Sequence, residues 1–187
     1  MGKFVKVSEN AFKEIQLEAG LILNKFDPTG VTEVADADIV CATTGGISIA
    51  CKPVFTDYGD DIDNVPANML EFKEVDSWDC SIGFTALNAS ASVIKLSLGI
   101  ADVDGNKIAP RFDFSEERSE FADIWWVGER ADGGFAACRL MNALSTDGLS
   151  LKTTKKGKGQ LSCTLTGHVS IKAQDVVPME FYVQEGA

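Results

Sequence analysis

The chain has 187 residues, of which 45% are hydrophobic and 24% charged, and these proportions are typical of one globular domain, not of a disordered segment. Its net charge of −11 argues against a protein that grips nucleic acid, because an acidic surface repels the phosphate backbone. Residues 1–12 contain no apolar run of signal-peptide length, and no stretch approaches the roughly 20 apolar residues of a membrane-spanning helix. We therefore expect a protein without membrane contact that is synthesised and folded in a cytoplasm.

The first 56 residues combine short elements with polar loops. Residues 8–14 are predicted to form a helical turn, and Gly20–Phe26 a strand that ends in the turn Asp27–Gly30. Residues 31–44 are polar and poorly periodic, which indicates a loop with a short strand. From Gly46 the hydrophobic period is two, as in a half-buried strand.

A long acidic segment interrupts this alternation. Residues 57–68 are predicted to be a loop, and loops of this length without structure of their own are usually functional or disordered. We treat residues 55–76 as an acidic arm within the domain. Alternation resumes at Trp78 and runs to Phe84, which predicts a second strand.

The middle of the chain contains the one segment with a clear helical pattern. Ser90–Ile100 places its apolar residues on a broad helix face, with Ser90 or Asn88 as the N-cap. The turn Asp104–Asn106 ends this segment. The continuous apolar run Phe121–Val127 predicts a strand covered on both faces, and a glycine-rich turn leads to the next apolar strand, Phe135–Leu144.

The last third of the chain predicts a hairpin with a basic tip, residues 152–160. Its return strand, residues 161–171, alternates well, and Met179–Val183 forms the last strand. The outward polar side chains of the return strand are Ser162, Thr164, Thr166 and His168. About nine strands and one helix predict a mostly β fold. We expect a β-sandwich or barrel of residues 1–187 with a flanking α-helix.

No catalytic, metal-binding or cofactor-binding residue is predicted. His168 is the only histidine and no nucleophile motif accompanies it. The sequence Asp102–Gly105 begins like a calcium loop but lacks the later ligands, and the lysines at 155–158 do not follow the phosphate-loop order. The chain also has five cysteines, Cys41, Cys51, Cys80, Cys138 and Cys163. Their odd number and the absence of a CxxC pair predict buried apolar side chains of a reducing compartment. We therefore expect no enzyme and no cofactor.

Charge is unevenly distributed along the chain. Residues 56–79 hold eight acidic residues and one lysine, whereas residues 152–158 hold four lysines and no acidic residue. Oppositely charged projections on one domain suit head-to-tail packing of identical copies, although solvated loops without a role give the same pattern. The candidate contacts between subunits are Asp57, Asp60, Asp61, Asp63, Lys155, Lys156 and Lys158.

Several short segments resemble one protein family. They include Asp123–Gly128, Met141–Ser145 and Lys156–Gly159, together with upstream segments at 11–16 and 55–63. In this order they resemble the major tail proteins, or tail tube proteins, of long-tailed, siphovirus-type bacteriophages. The resemblance spans almost the whole chain, but no single segment has a chemical signature.

The resemblance implies a tail-tube-like β-sandwich with one flanking helix and no cofactor or catalytic residue. It implies hexameric rings that stack into a tube through which DNA passes during ejection, with one sheet of each subunit lining the channel. Implied partners are other copies of the chain and the tape measure, tail terminator and baseplate proteins. The implied localisation is the virion tail, which is assembled in the host cytoplasm. We expect the polar face of Ser162 to His168 to lie at the lumen or an interface.

Two other functions stay open at this point. A tail terminator or hub domain would use a similar sandwich but would stop at one ring. A carbohydrate-binding module would need exposed aromatic side chains on one sheet face, whereas Trp125 and Trp126 lie in a doubly apolar strand.

Overall fold

A computed structural model describes residues 7–8, 10–30 and 33–186 of the chain. Within these residues the chain forms ten strands, one α-helix and two 3₁₀ turns, at Asp36–Asp38 and Leu70–Phe72. The strands are β1 (Leu21–Leu23), β2 (Thr43–Asp57), β3 (Lys73–Ala86), β4 (Ala101–Asp104), β5 (Lys107–Pro110), β6 (Ala122–Glu129), β7 (Phe135–Ser145), β8 (Ser150–Lys152), β9 (Gln160–Thr166) and β10 (Met179–Gln184). The helix α1 is Ala91–Leu98.

The strands form two antiparallel layers that are joined through β7. The main order is β1-β6-β7-β9-β3-β2, with β10 beside β7 and β8 beside β9. The end of β7 passes from the first layer to the second, where Leu144 pairs with Thr166. The hairpin β4–β5 stands apart from this sheet. The predicted mostly β sandwich with one helix is confirmed.

The core lies between the two layers and consists of the inward residues of each strand. Ile82 and Leu165 come from one layer, Ile124 and Leu140 from the other, and all four are almost fully buried. Complete burial of such a side chain contributes about 1.5–3 kcal/mol. Val93 of α1 belongs to the same buried cluster, so the helix packs on the sandwich.

The helix begins at one of the two N-caps that the sequence predicts, and it ends at Gly99, which was not predicted. The Ser90 hydroxyl accepts a hydrogen bond from the Val93 amide at 3.4 Å, which caps the N-terminus. At the other end Gly99 has φ of 75°, and its amide donates to the carbonyls of Lys95 and Leu96. The prediction of a helix over Ser90–Ile100 is confirmed, although the helix itself is one residue shorter at its start and two residues shorter at its end.

The N-terminal elements are shorter than predicted. The Ala11 amide donates to the Ser8 carbonyl and the Glu14 amide to the Asn10 carbonyl, which forms turns without a regular helix. The predicted strand Gly20–Phe26 is regular only over β1. Residues 1–6, 9 and 31–32 lie outside the described residues.

The prediction that the return strand continues to Ile171 is wrong, because β9 ends at Thr166. The reason is Gly167, where an added Cβ would lie 2.7 Å from Leu140 Cδ1 and 3.0 Å from the Pro178 carbonyl. The Gly167 amide still donates to the Cys80 carbonyl of β3, and the His168 amide then donates to the Met141 carbonyl of β7, so the chain leaves β3 at this point. Ile171 is consequently exposed instead of inward-facing.

The acidic segment lies at the end of a two-stranded ribbon, and the predicted loop over residues 57–68 is confirmed except at Asp57, which ends β2. β2 continues to Asp57 and β3 starts at Lys73. From the pair Thr56–Glu74 to the sandwich the two strands stay paired, apart from one bulge between Val54 and Phe55. We call residues 52–79 the arm. It is a two-stranded ribbon with a tip at 58–72, and the rest of the sandwich is the body.

Candidate assembly surfaces

The arm carries an apolar face that its own chain leaves exposed. Cross-strand partners share one face of a sheet, and Cys80, the partner of Cys51, is buried in the core. Alternation continues this inward face into the arm as the pairs Pro53–Trp78 and, after a bulge, Phe55–Val75. The exposed fractions of Phe55, Val75 and Trp78 are 51%, 45% and 38%. The core face of the body therefore extends into solvent along the arm.

The tip of the arm is ordered by local hydrogen bonds. The Asp57 carboxylate accepts from the Gly59 amide at 3.0 Å, and the Lys73 ammonium donates to the Asn68 side chain at 2.7 Å. Gly59 is buried, and an added Cβ there would lie 3.2 Å from Val65. The predicted loop is thus a compact turn. It holds Asp60, Asp61 and Asp63 exposed on its surface.

The basic tip is a second, smaller projection. β8 and β9 form a hairpin that pairs Lys152 with Gln160, and the Gly157 amide closes a turn onto the Thr154 carbonyl. Lys155, Lys156 and Lys158 are all exposed. Four lysines therefore surround the end of this hairpin.

The two charged tips lie at opposite ends of one sheet. β3 leaves the arm at Asp79 and ends at Ala86, where it pairs with Leu161, the residue next to the basic tip. The seven residue steps from Asp79 to Ala86, at about 3.4 Å per step, separate the arm base from the hairpin base by roughly 24 Å. No ion pair of the described residues joins the two tips. Within one subunit, therefore, the opposite charges are kept apart.

The outward face between the two tips consists of small side chains without charge. Successive cross-strand rows are Thr44–Thr85–Ser162, Ser48–Gly83–Thr164 and Ala50–Ser81–Thr166. An added Cβ at Gly83 would lie 2.7 Å from the Ser48 hydroxyl, which donates to the Gly83 carbonyl. We call these nine residues the hydroxyl face. The structure thus brings three of the four predicted lumen residues together in one patch.

His168 is not part of that patch. It lies past the end of β9, where its Nδ1 is 3.1 Å from the Asn142 carbonyl and its ring meets the edge of Phe121 at 5.2 Å. Asn142, with φ of 48°, donates a hydrogen bond from its side-chain Nδ2 to the His168 carbonyl. The placement of His168 on the outward strand face is therefore wrong. Through these hydrogen bonds His168 connects the segment after β9 to β7 instead.

The opposite layer carries a charged cluster that the sequence patterns did not predict. Arg139 pairs with Asp123 at 2.6 Å and with Glu180 at 3.3 Å, and the Tyr182 hydroxyl donates to Glu180 at 2.7 Å. The Asp123 hydrogen bond raises the pKa of Arg139, and the Glu180 hydrogen bond raises the pKa of Tyr182. The Arg139 guanidinium lies over Trp125. Only the register of three separate strands brings these residues together, so no sequence spacing could have found them.

The thiols and acidic groups offer little for catalysis. Burial raises the pKa of Cys41 to about 11 and that of Cys138 to about 12, which keeps both as neutral thiols. In the described part of the chain no group of three or more His, Cys, Asp or Glu side chains is placed to hold a metal ion. Over the same residues no helix is long and apolar enough to cross a bilayer.

Comparison with known proteins adds no family to this description. No protein-family model matches the chain, and no curated protein matches it in sequence.

Proposed function

We propose that this protein is the structural subunit of a bacteriophage tail tube. In this proposal six copies form a ring, rings stack head to tail, and DNA passes through the channel during ejection. The subunit folds in the host cytoplasm and ends in the virion tail. Its other partners there are the tape measure, tail terminator and baseplate proteins.

The observation that carries the proposal is the position of the two charged tips. The acidic arm tip and the basic hairpin tip lie at opposite ends of one sheet, so stacking one copy on another brings opposite charges together. An exposed ion pair contributes about 0.2–1 kcal/mol, so three lysines against three aspartates contribute about 1–3 kcal/mol per joint. Summed around a ring, such joints favour a long polymer.

The apolar face of the arm supports self-association independently of charge. Large apolar side chains along a projecting ribbon are a liability in a monomer, and Phe55, Val75 and Trp78 lose their contact with water if a neighbouring copy covers them. Burial at about 25 cal/mol per Å² then stabilises the contact.

The free edge of β2 offers a second means of contact. β2 is 15 residues long, and no strand of the described chain pairs with its other edge. An unpaired edge of this length is a template for pairing with another chain. Pairing subunits edge to edge would extend the layer that carries the hydroxyl face into a ring.

The hydroxyl face suits the lining of a channel for DNA. Thr164 and its neighbours carry no cation that could replace counterions on the phosphates, so they give DNA no electrostatic reason to stay. These rows therefore need no acidic side chains to keep DNA from binding. Weak adhesion follows from the absence of lysine and arginine.

The test is a charge exchange between the tips. Replacing Lys155, Lys156 and Lys158 with Glu should abolish rings and tubes in electron micrographs while the circular dichroism spectrum stays unchanged. Adding Asp60→Lys, Asp61→Lys and Asp63→Lys to the same chain should restore them, because the signs are complementary again. The second set alone is the matched control and should also fail. The proposed joint is refuted if the chain with Lys155, Lys156 and Lys158 replaced by Glu forms tubes as readily as wild type.

The size of the assembly separates this proposal from its closest alternative. A tube subunit forms polymers of many rings, whereas a tail terminator stops at one ring, and sedimentation of the wild-type protein distinguishes the two. A carbohydrate-binding role has less support, because the outward rows of β2, β3 and β9 carry hydroxyl and methyl groups where stacking aromatic rings would be needed.

A further inference from the structure

Two of the five cysteines face each other at the base of the arm. Cys51 of β2 and Cys80 of β3 are direct cross-strand partners, and their Sγ atoms lie 3.4 Å apart. Directly opposite residues of an antiparallel pair have Cα atoms about 4.5–5.5 Å apart, inside the range of about 4.4–6.8 Å that disulfides use. The backbone therefore already holds these two thiols at bonding separation.

The pair stands at the boundary between the buried and the exposed part of one ribbon. Cys80 is buried, whereas Cys51 is partly exposed, and the next inward pair, Pro53–Trp78, borders solvent. Cys51 is thus the more accessible of the two residues. Cys80 lies behind it, in the position of a resolving thiol.

We propose that Cys51 and Cys80 form a cross-strand disulfide when the folded protein meets a small-molecule disulfide as oxidant. The Cys51 thiolate attacks one sulfur of the oxidant, which forms a mixed disulfide and releases one thiol. The Cys80 thiolate then attacks the Cys51 sulfur and releases the second thiol. Two protein thiols are oxidised, one external disulfide is reduced to two thiols, and the two protons end on the released thiols.

The bond forms slowly, because burial and the contact with Cys51 raise the pKa of Cys80 to about 12. Burial still disfavours the Cys80 thiolate after Cys51 has reacted, so a mildly alkaline medium favours the second step. A reducing cytoplasm keeps the pair reduced, and long exposure to an oxidising medium converts it.

The disulfide would tie both strands of the arm to the body at the point where the core ends. Residues 52–79 would become a covalently closed loop, so the arm could not fray from its base. The benefit rests on the proposed function: subunits would assemble while reduced, and released particles would lock their arms afterwards.

The experiment uses the full chain with oxidised glutathione in mildly alkaline buffer. After incubation the protein is denatured with iodoacetamide, which caps every remaining thiol. The expected result is a loss of two alkylation sites and a peptide that links Cys51 to Cys80. Cys51→Ser and Cys80→Ser should each abolish the link, whereas Cys138→Ser, which removes another buried thiol of the same core, should retain it. If a variant fails to fold, the disulfide-linked peptide of the wild-type chain still tests the proposal.

A second measurement reports on the arm itself. Cleavage in the tip before Asp60 or Asp61 divides the chain, and the two pieces should migrate together on a non-reducing gel only after oxidation. Each of three outcomes would overturn the proposal. They are alkylation of all five thiols, a glutathione adduct on Cys51 that never resolves, and a link to Cys138. Its failure is separate from that of the tube, because a Cys51→Ser chain that polymerises leaves the proposed function standing.

Discussion

The two halves of the β2–β3 ribbon have the same hydrophobic pattern and opposite surroundings. In the body, Ile82 and its neighbours point inward and are covered by the other layer. In the arm, Phe55 and Val75 continue the same face but stay 51% and 45% exposed. The difference teaches that an alternating strand specifies a face to be buried, but not which molecule buries it. For the arm we infer that another copy does.

The largest expected effect tests that contrast on a single strand. Ile82→Ala removes a fully buried side chain, so the free energy of unfolding of the monomer should fall by about 2–5 kcal/mol. Val75→Ala, on the same face of β3, should change it by about 0.5 kcal/mol or less. Urea unfolding of dilute protein measures both. Equal losses would mean that the subunit itself covers the arm.

The next effect concerns two glycines, one in the body and one at the basic tip. Gly167→Ala places a Cβ 2.7 Å from Leu140 and should cost about 1–3 kcal/mol in the free energy of unfolding, because the core must shift. Gly159→Ala is the control, since its Cβ meets only ordinary contacts at 3.9 and 4.0 Å. Thermal unfolding compares them. A neutral Gly167→Ala would show that the turn after β9 is not set by this close approach.

A smaller effect should appear in assembly instead of folding. Phe55→Ser removes one apolar anchor from the arm, and we expect the concentration needed for polymerisation to rise about tenfold, which corresponds to about 1.4 kcal/mol per contact. Phe112→Ser is the matched control, because Phe112 is fully exposed and lies outside the arm. Light scattering across a concentration series gives both values. Equal shifts for the two variants would remove the special role of the arm.

The smallest effect is on acid sensitivity of the body. The Gly134 amide donates to the Asp132 carboxylate and lowers its pKa below 3.8. A lowered pKa contributes stability above the unfolded pKa and loses it as pH falls through the folded value. Asp132→Asn should therefore flatten the fall in melting temperature below about pH 4. A variant whose melting temperature falls as steeply as that of wild type would show that this carboxylate does not carry the acid sensitivity.

Local patterns in the sequence were sufficient for much of the fold. Period-two alternation predicted the strands that became β2, β3 and β9, apolar runs predicted β6 and β7, and Ser90 predicted the start of the helix. The charged tips were also visible, because runs of aspartate or lysine need no tertiary contact to be recognised. Strand ends were less predictable. β9 stops at Gly167 because Leu140 and Pro178, distant in sequence, occupy the space beside it.

What the sequence by itself determined is which side chains share a face and where charge accumulates, since both follow from residues within a few positions of each other. The tertiary structure alone decided the separation of the two tips, the joining of Thr85 and Thr164 in one hydroxyl face, and the meeting of Cys51 with Cys80. It also left Phe55 in solvent. These are consequences of strand register and of how far one layer reaches over the other, which depend on pairing between segments far apart in the chain.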